Sequence, residues 1–295
     1  MHAPVMPPAP RWPEAIPVES TDGVTLAAYR SEETAARNTS GREVFLAHAN
    51  GFCAAVFAPL LDSLGDTAWT AYDARAHGRS TRAGADMSWE GHRDDALHVI
   101  DACGVKRPVG VGHSMGGAAL LLAEQARPGT FAALWLFEPI VFPDGIDEPA
   151  DNPLEAGALR RRDSFPSREE AFANFASKAP LDELCSEALA AYVTHGFVDT
   201  PDGIALACRP EDEAAGYRMG VRHSAWAHLG EVRCPVVVTR GRSLGADPAA
   251  IAPLIAEGLP GGHLEDHPEL GHFGPLAEPG TMAGSIRRLV EGLGA

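Results

Sequence analysis

The stretch Val109-Gly-Val-Gly-His-Ser-Met-Gly-Gly-Ala-Ala-Leu-Leu-Leu-Ala-Glu-Gln-Ala126 decides the fold. A short apolar run from Pro108 ends at Gly112-His113-Ser114-Met115-Gly116, and a helix of small residues follows it to Ala126. A buried strand, a sharp turn and a helix in that order push the serine side chain out of the sheet. The flanking glycines are needed because a Cβ there would collide with the neighbouring strand and helix.

Similar short runs recur on both sides: Val44 to Ala47, Ala68 to Tyr72, Ala132 to Phe137, Pro235 to Arg240 and His263 to His267. Helical stretches separate them, and the alternation predicts a mostly parallel sheet of about eight strands with helices on both faces. Asp22-Gly23 between two apolar runs of residues 15–31 predicts an antiparallel hairpin at the start. From Pro143 to Gly230 no buried-strand run appears and the pattern is helical. This segment is expected to be an inserted helical cap (143–230), dividing a core domain into residues 1–142 and 231–295.

Composition narrows the function. The 295 residues carry 24 Lys plus Arg against 40 Asp plus Glu, a net charge of −16, which would repel both a nucleic-acid backbone and an anionic bilayer. A small molecule is therefore the expected partner. No run of about 18 apolar residues exists to span a bilayer. Met1 to Pro17 is Pro-rich, lacks a basic start and an apolar centre, and reads as an arm and not a signal peptide. Five widely spaced cysteines show neither a disulfide framework nor a CxxC pattern, which points to a reducing cytoplasm. His263, Glu265 and His267 would share one face of a strand, but solvated edge residues explain them better than a metal does.

A nucleophilic serine needs a base, and His272 follows the last strand in Leu270-Gly271-His272-Phe273. His113, inside the turn, reads as a packing residue. Two backbone N–H groups must face the oxyanion. The first is that of Met115, at the positive end of a helix. The second is expected from Asn50-Gly51-Phe52-Cys53 after the Val44–Ala47 strand, with the Phe52 N–H as candidate. Phe52, Met115, Phe137 and Phe273 are expected near the pocket, with Trp135 behind the sheet, and would suit an apolar group.

Taken together, the Gly-His-Ser-Met-Gly-Gly turn, His48-Ala49-Asn50-Gly51-Phe52, Tyr72-Asp73-Ala74-Arg75-Ala76-His77-Gly78-Arg79-Ser80 and Leu270-Gly271-His272-Phe273 resemble an α/β-hydrolase from about residue 15 onward. Asn50-Gly51 stands where that family usually has His-Gly, and Ala76 where it usually has Gly. The resemblance implies an α/β-hydrolase fold with a cap, no cofactor, and a triad whose acid usually follows the Pro235–Arg240 strand. There Leu244 cannot accept a hydrogen bond, and Asp247 would need the loop to bulge. Some members place the acid after the strand that follows the elbow helix, and here that position is Glu138. A charge at the end of so apolar a strand needs a partner, and His272 is the one it could have. The expected triad is Ser114, Glu138 and His272.

The reaction this implies is hydrolysis of a carboxylic ester or lactone of a small apolar molecule. C–C bond hydrolysis, acyl transfer and a non-catalytic receptor remain alternatives on the same scaffold.

Overall fold

The computed structural model describes residues 4–31, 42–82, 87–145, 151–245 and 247–293. The first three residues of the expected arm and residues 146–150 of the expected insert lie outside them.

Eight strands form the main sheet: β1 (Ile16–Glu19), β2 (Thr25–Arg30), β3 (Val44–Ala47), β4 (Trp69–Tyr72), β5 (Val109–His113), β6 (Ala133–Phe137), and, after the insert, β10 (Val236–Arg240) and β11 (Gly262–Asp266). Their order is β1-β2-β4-β3-β5-β6-β10-β11. β2 pairs antiparallel with both β1 and β4, and every later pairing is parallel. The hairpin and the parallel sheet are thus as the alternation predicts.

Successive side chains on a strand alternate between the two faces, so each face buries its own core. Val44, Leu46, Val111 and Trp135 lie on one face, with Leu60 and Leu61 of helix α1 (Ala58–Asp62) and Met282 and Ile286 of the C-terminal helix Pro279–Gly292. Phe45, Ala47, Leu134 and Leu136 lie on the other, with Val99 and Ile100 of α2 (Trp89–Ala102), Leu120 and Leu121 of α3 (Met115–Ala126), and Ile255 of the helix Pro248–Gly258. Ser88 caps α2 by accepting the Gly91 N–H at 3.1 Å. Within the described part of the N-terminal arm, Met6, Ala9, Trp12 and Ala15 pack on the core, and Trp12 stacks on Trp69 at 5.2 Å between ring centroids.

The segment between β6 and β10 corrects one expectation. It holds helices α4 (Pro153–Leu159), α5 (Arg168–Phe175), α6 (Ser186–His195) and α7 (Pro210–Arg218), but also a three-stranded antiparallel sheet. That sheet is β7 (Ser164–Phe165), β8 (Phe197–Thr200) and β9 (Gly203–Leu206), in the order β7-β9-β8. β8 and β9 are joined by the two residues Pro201-Asp202, followed by Gly203 at the start of β9, and this turn chemistry marks a hairpin. Strands this short, with Val198 exposed, leave no buried run to read. The ends of the last core strand also shift: His267 sits one residue past β11. No helix among the described residues is long and apolar enough to cross a membrane.

Candidate active site

Strand register assembles the site. His113 pairs with Phe137 across β5 and β6, so the residues that follow, Ser114 and Glu138, emerge side by side at the C-terminal edge. The Ser114 N–H donates to the Phe137 carbonyl at 3.0 Å and the Glu138 N–H to the Thr239 carbonyl at 2.9 Å. The strand ladder therefore runs through both residues before their chains turn away.

Both turn away in strained conformations. Ser114 has φ 55° and ψ −116°, and Glu138 has φ 44°. Non-glycine residues in this region cost about 1–3 kcal/mol each and persist where packing enforces them. At the elbow the enforcement is visible. A Cβ on Gly112 would lie 2.6 Å from the Gly117 Cα, and one on Gly116 would strike the Ala47 carbonyl. Helix α3 thus crosses directly against β3 and β5, and Ser114 is held at its first turn. The Met115 N–H sits in that turn, where no intrahelical acceptor exists.

Glu138 is 2% exposed, and both its oxygens are engaged. Oε2 accepts from His272 Nδ1 at 2.5 Å, and Oε1 accepts from the Gly241 N–H at 2.8 Å. A buried carboxylate is costly unless charge-assisted bonds replace its water, and these two do so. The bond also fixes the His272 tautomer with Nδ1 protonated, leaving Nε2 as the basic nitrogen. The His272 loop is pinned from two more directions. The Arg242 N–H donates to the Leu270 carbonyl at 2.8 Å, and His113 Nε2–H donates to the carbonyl of His272 itself at 2.8 Å.

His113 is therefore more than the packing residue its position suggests. Burial first, and the nearby His272 second, push its pKa well below the usual imidazole range. It stays neutral and supports the His272 backbone without adding a second positive charge. No sequence signal announces this contact, which joins residues 159 apart.

Asp247 lies within electrostatic reach of His272, but its hydrogen bonds go to its own loop and helix. It is the N-cap of the helix Pro248–Gly258, accepting from the Ala250 N–H at 2.9 Å, the Leu244 N–H at 2.5 Å and Ser243 Oγ at 2.9 Å. Partial burial alone would raise its pKa, but these donors hold the carboxyl below the ordinary range.

Residues Ala49 to Phe52 form a β-turn after β3, with Gly51 at φ 78° in the position that requires glycine. The Phe52 N–H closes the turn on the Ala49 carbonyl at a long 3.3 Å. The Phe52 ring meets Tyr192 of α6 at 5.2 Å and Phe273 at 5.6 Å between centroids. An aromatic wall thus adjoins the His272 loop. Phe137, expected near the pocket, is fully buried in the core beneath it, and so is Trp135, expected behind the sheet, whose Nε1–H donates to Ser285 Oγ. The segment from Asp73 to Ser80 is structural: the buried Asp73 carboxylate accepts from Tyr29 Oη and from the Ala54 and Arg79 N–H groups, each at 2.8 Å. Glu265 is taken up by Ser285, Arg288 and His267. No group of three or more His, Cys, Asp or Glu side chains among the described residues is placed to hold a metal ion.

A strained serine at a strand-to-helix elbow beside a carboxylate–histidine pair is the arrangement against which known proteins can be compared. A family model described as the alpha/beta hydrolase family matches residues 44–284. This chain belongs to the α/β-hydrolase family.

Over 142 residues, this α/β-hydrolase is 32% identical to the type I acyl-CoA thioesterase mpaH of Penicillium brevicompactum. The match takes in 46% of this chain but only 31% of that relative's length. Among solved structures, the peroxisomal α/β-hydrolase Lpx1 of Saccharomyces cerevisiae superposes with a TM-score of 0.77 at 19% identity, over 98% of this chain and 87% of that one. The esterase RhEst1 of Rhodococcus sp. superposes with a TM-score of 0.72 at 21% identity, over 95% and 99%. At these identities the likeness to the two structures is one of fold.

Proposed function

We propose that this α/β-hydrolase cleaves a carboxylic ester or lactone of a small, largely apolar molecule through an acyl-enzyme at Ser114. The observation that carries this reading is the 2.5 Å bond from His272 Nδ1 to the buried Glu138, at the end of the strand beside the one that delivers Ser114. In this reading His272 Nε2 takes the Ser114 proton as Oγ attacks the carbonyl carbon, and Glu138 stabilises the imidazolium. The N–H groups of Met115 and Phe52 receive the oxyanion, the long turn bond of Phe52 being shared with it. The tetrahedral intermediate collapses, His272 returns the proton to the departing alkoxide, and the acyl group stays on Ser114. A water molecule, deprotonated by His272, then releases the acid and restores the serine.

The segment 143–230 is the cap in this reading, since Tyr192 meets Phe52 and the aromatic wall is partly its own. A thioester is the second substrate class to test, because the curated relative with 32% identity is an acyl-CoA thioesterase. Five free cysteines support a reducing compartment as the setting.

Hydrolysis of short p-nitrophenyl esters and thioesters tests the reading. Ser114→Ala is expected to fold normally and lose about 10³-fold or more in kcat, and His272→Ala a similar amount. Parent rates in a folded Ser114→Ala variant would overturn it.

A further inference from the structure

The turn that carries Phe52 is held by the insert as well as by the sheet. Its corner residue, Asn50, is 9% exposed. Asn50 Nδ2–H donates to the Glu213 carbonyl on α7 at 2.8 Å. A Cβ on Gly216, one turn further along α7, would lie 2.6 Å from Asn50 Oδ1, so the helix backbone packs directly on the amide. On the other side, His77 Nε2 accepts the Gly51 N–H at 3.0 Å, while its Nδ1–H donates to the Arg75 carbonyl at 2.8 Å.

The next two residues touch the insert too. A Cβ on Gly51 would fall 2.6 Å from Glu213 Oε1, so the carboxylate covers that face of the turn. Arg161 holds this carboxylate at 2.7 Å and also donates to Tyr192 Oη at 2.5 Å, and the Tyr192 ring packs on Phe52. A β-turn of this type needs only its glycine. Asn50 Oδ1 lies 3.2 Å from His77 Nε2 on the sheet side, whereas Nδ2–H finds its acceptor on the docked α7, and a buried donor without its partner is costly.

We propose that Asn50 is a positioning residue that locks the Ala49–Phe52 turn to α7, so that the Phe52 N–H is aimed at the oxyanion only while the insert is seated. The inference rests on the reading of Ser114 as nucleophile. Asn50 touches no reacting atom in it, and acts through the turn.

The test compares the full-length parent with Asn50→Ala and Gly216→Ala, each checked for folding by near-ultraviolet circular dichroism. The readouts are kcat and KM on a p-nitrophenyl ester, and the affinity for phenylboronic acid, which forms a tetrahedral adduct on a reactive serine. Asn50→Ala is expected to lower kcat by about 10- to 100-fold, somewhat less than deleting an oxyanion donor outright. KM should stay within about twofold, because ground-state binding is untouched, and the boronate affinity should fall in step with kcat/KM. A loss confined to KM, or a folded variant with parent kcat, overturns the role.

If Asn50→Ala does not fold, Gly216→Ala decides. Its methyl group favours the helix yet displaces the Asn50 amide, so the same kcat loss is expected and parent kcat overturns the role. Fluorophosphonate labelling of the parent separates the two readings. A parent that is not labelled at Ser114 removes the nucleophile, and Asn50's role with it. Labelling at Ser114 with an unaffected Asn50→Ala removes the positioning role alone.

Discussion

Strands β6 and β10 are neighbours in the sheet, and each is followed by an acid, Glu138 and Asp247, that could serve the same histidine. The two carboxylates live under opposite conditions. Glu138 is buried, sits at positive φ, and spends its oxygens on His272 and the Gly241 N–H. Asp247 lies at a helix start, where backbone donors and the helix dipole stabilise it without strain. A helix cap accounts for itself. A strained, buried charge needs a further reason to exist, and the bond to His272 supplies one. The family's usual placement of the acid is the loop after β10, while the residues there and local energetics pick the end of β6.

Substitution is the sharpest way to break this contrast. Glu138→Gln keeps the shape but cannot hold the imidazolium, and is expected to lower kcat by about 10²- to 10⁴-fold with the fold intact. A Glu138→Gln enzyme near parent kcat would abolish the distinction.

The same division between working and structural groups applies to the histidines, and pH exposes it. Burial lowers His48 and His77 from the ordinary 6.5 to about 4. His48 Nε2 accepts the Ala74 N–H at 2.9 Å and His77 Nε2 accepts the Gly51 N–H at 3.0 Å, so both are needed neutral. The unfolded chain takes up these protons below about pH 6.5 and the folded chain does not until near pH 4. Stability is therefore complete above 6.5 and falls on acidification, by about 1.4 kcal/mol per pH unit for each group across that window. Urea unfolding at intervals between pH 7 and 4.5 checks this, and a flat profile would contradict it.

The smallest effect expected is at Asp247. Asp247→Ala should cost about 1 kcal/mol of stability as a lost N-cap and leave kcat at the parent value. A large kcat loss there would move the acid to β10.

How much of this was legible depended on how local the signal is. The strands and the elbow at Ser114 are written in short contiguous runs, and the parallel sheet followed from their alternation. Glu138 was legible because a charge closing Leu134-Trp135-Leu136-Phe137 conflicts with its surroundings. The small sheet of the insert was not, since its strands are short and partly exposed. Nor were the supports of the site. His113 reaches His272 across 159 residues and Asn50 reaches Glu213 across 163, and nothing near either residue in sequence marks the partner. Phe137 reads as a pocket residue because an aromatic strand end looks alike from either side. Only the register shows it beneath the site.

Covalent capture tests the central claim most directly. The enzyme is mixed with p-nitrophenyl acetate, quenched in acid during the first turnover, and digested for peptide mass analysis. A burst of p-nitrophenol with the acetyl group on the peptide bearing Ser114, absent from Ser114→Ala, is the predicted result. An acetyl group on another residue, or turnover that survives Ser114→Ala, would contradict it.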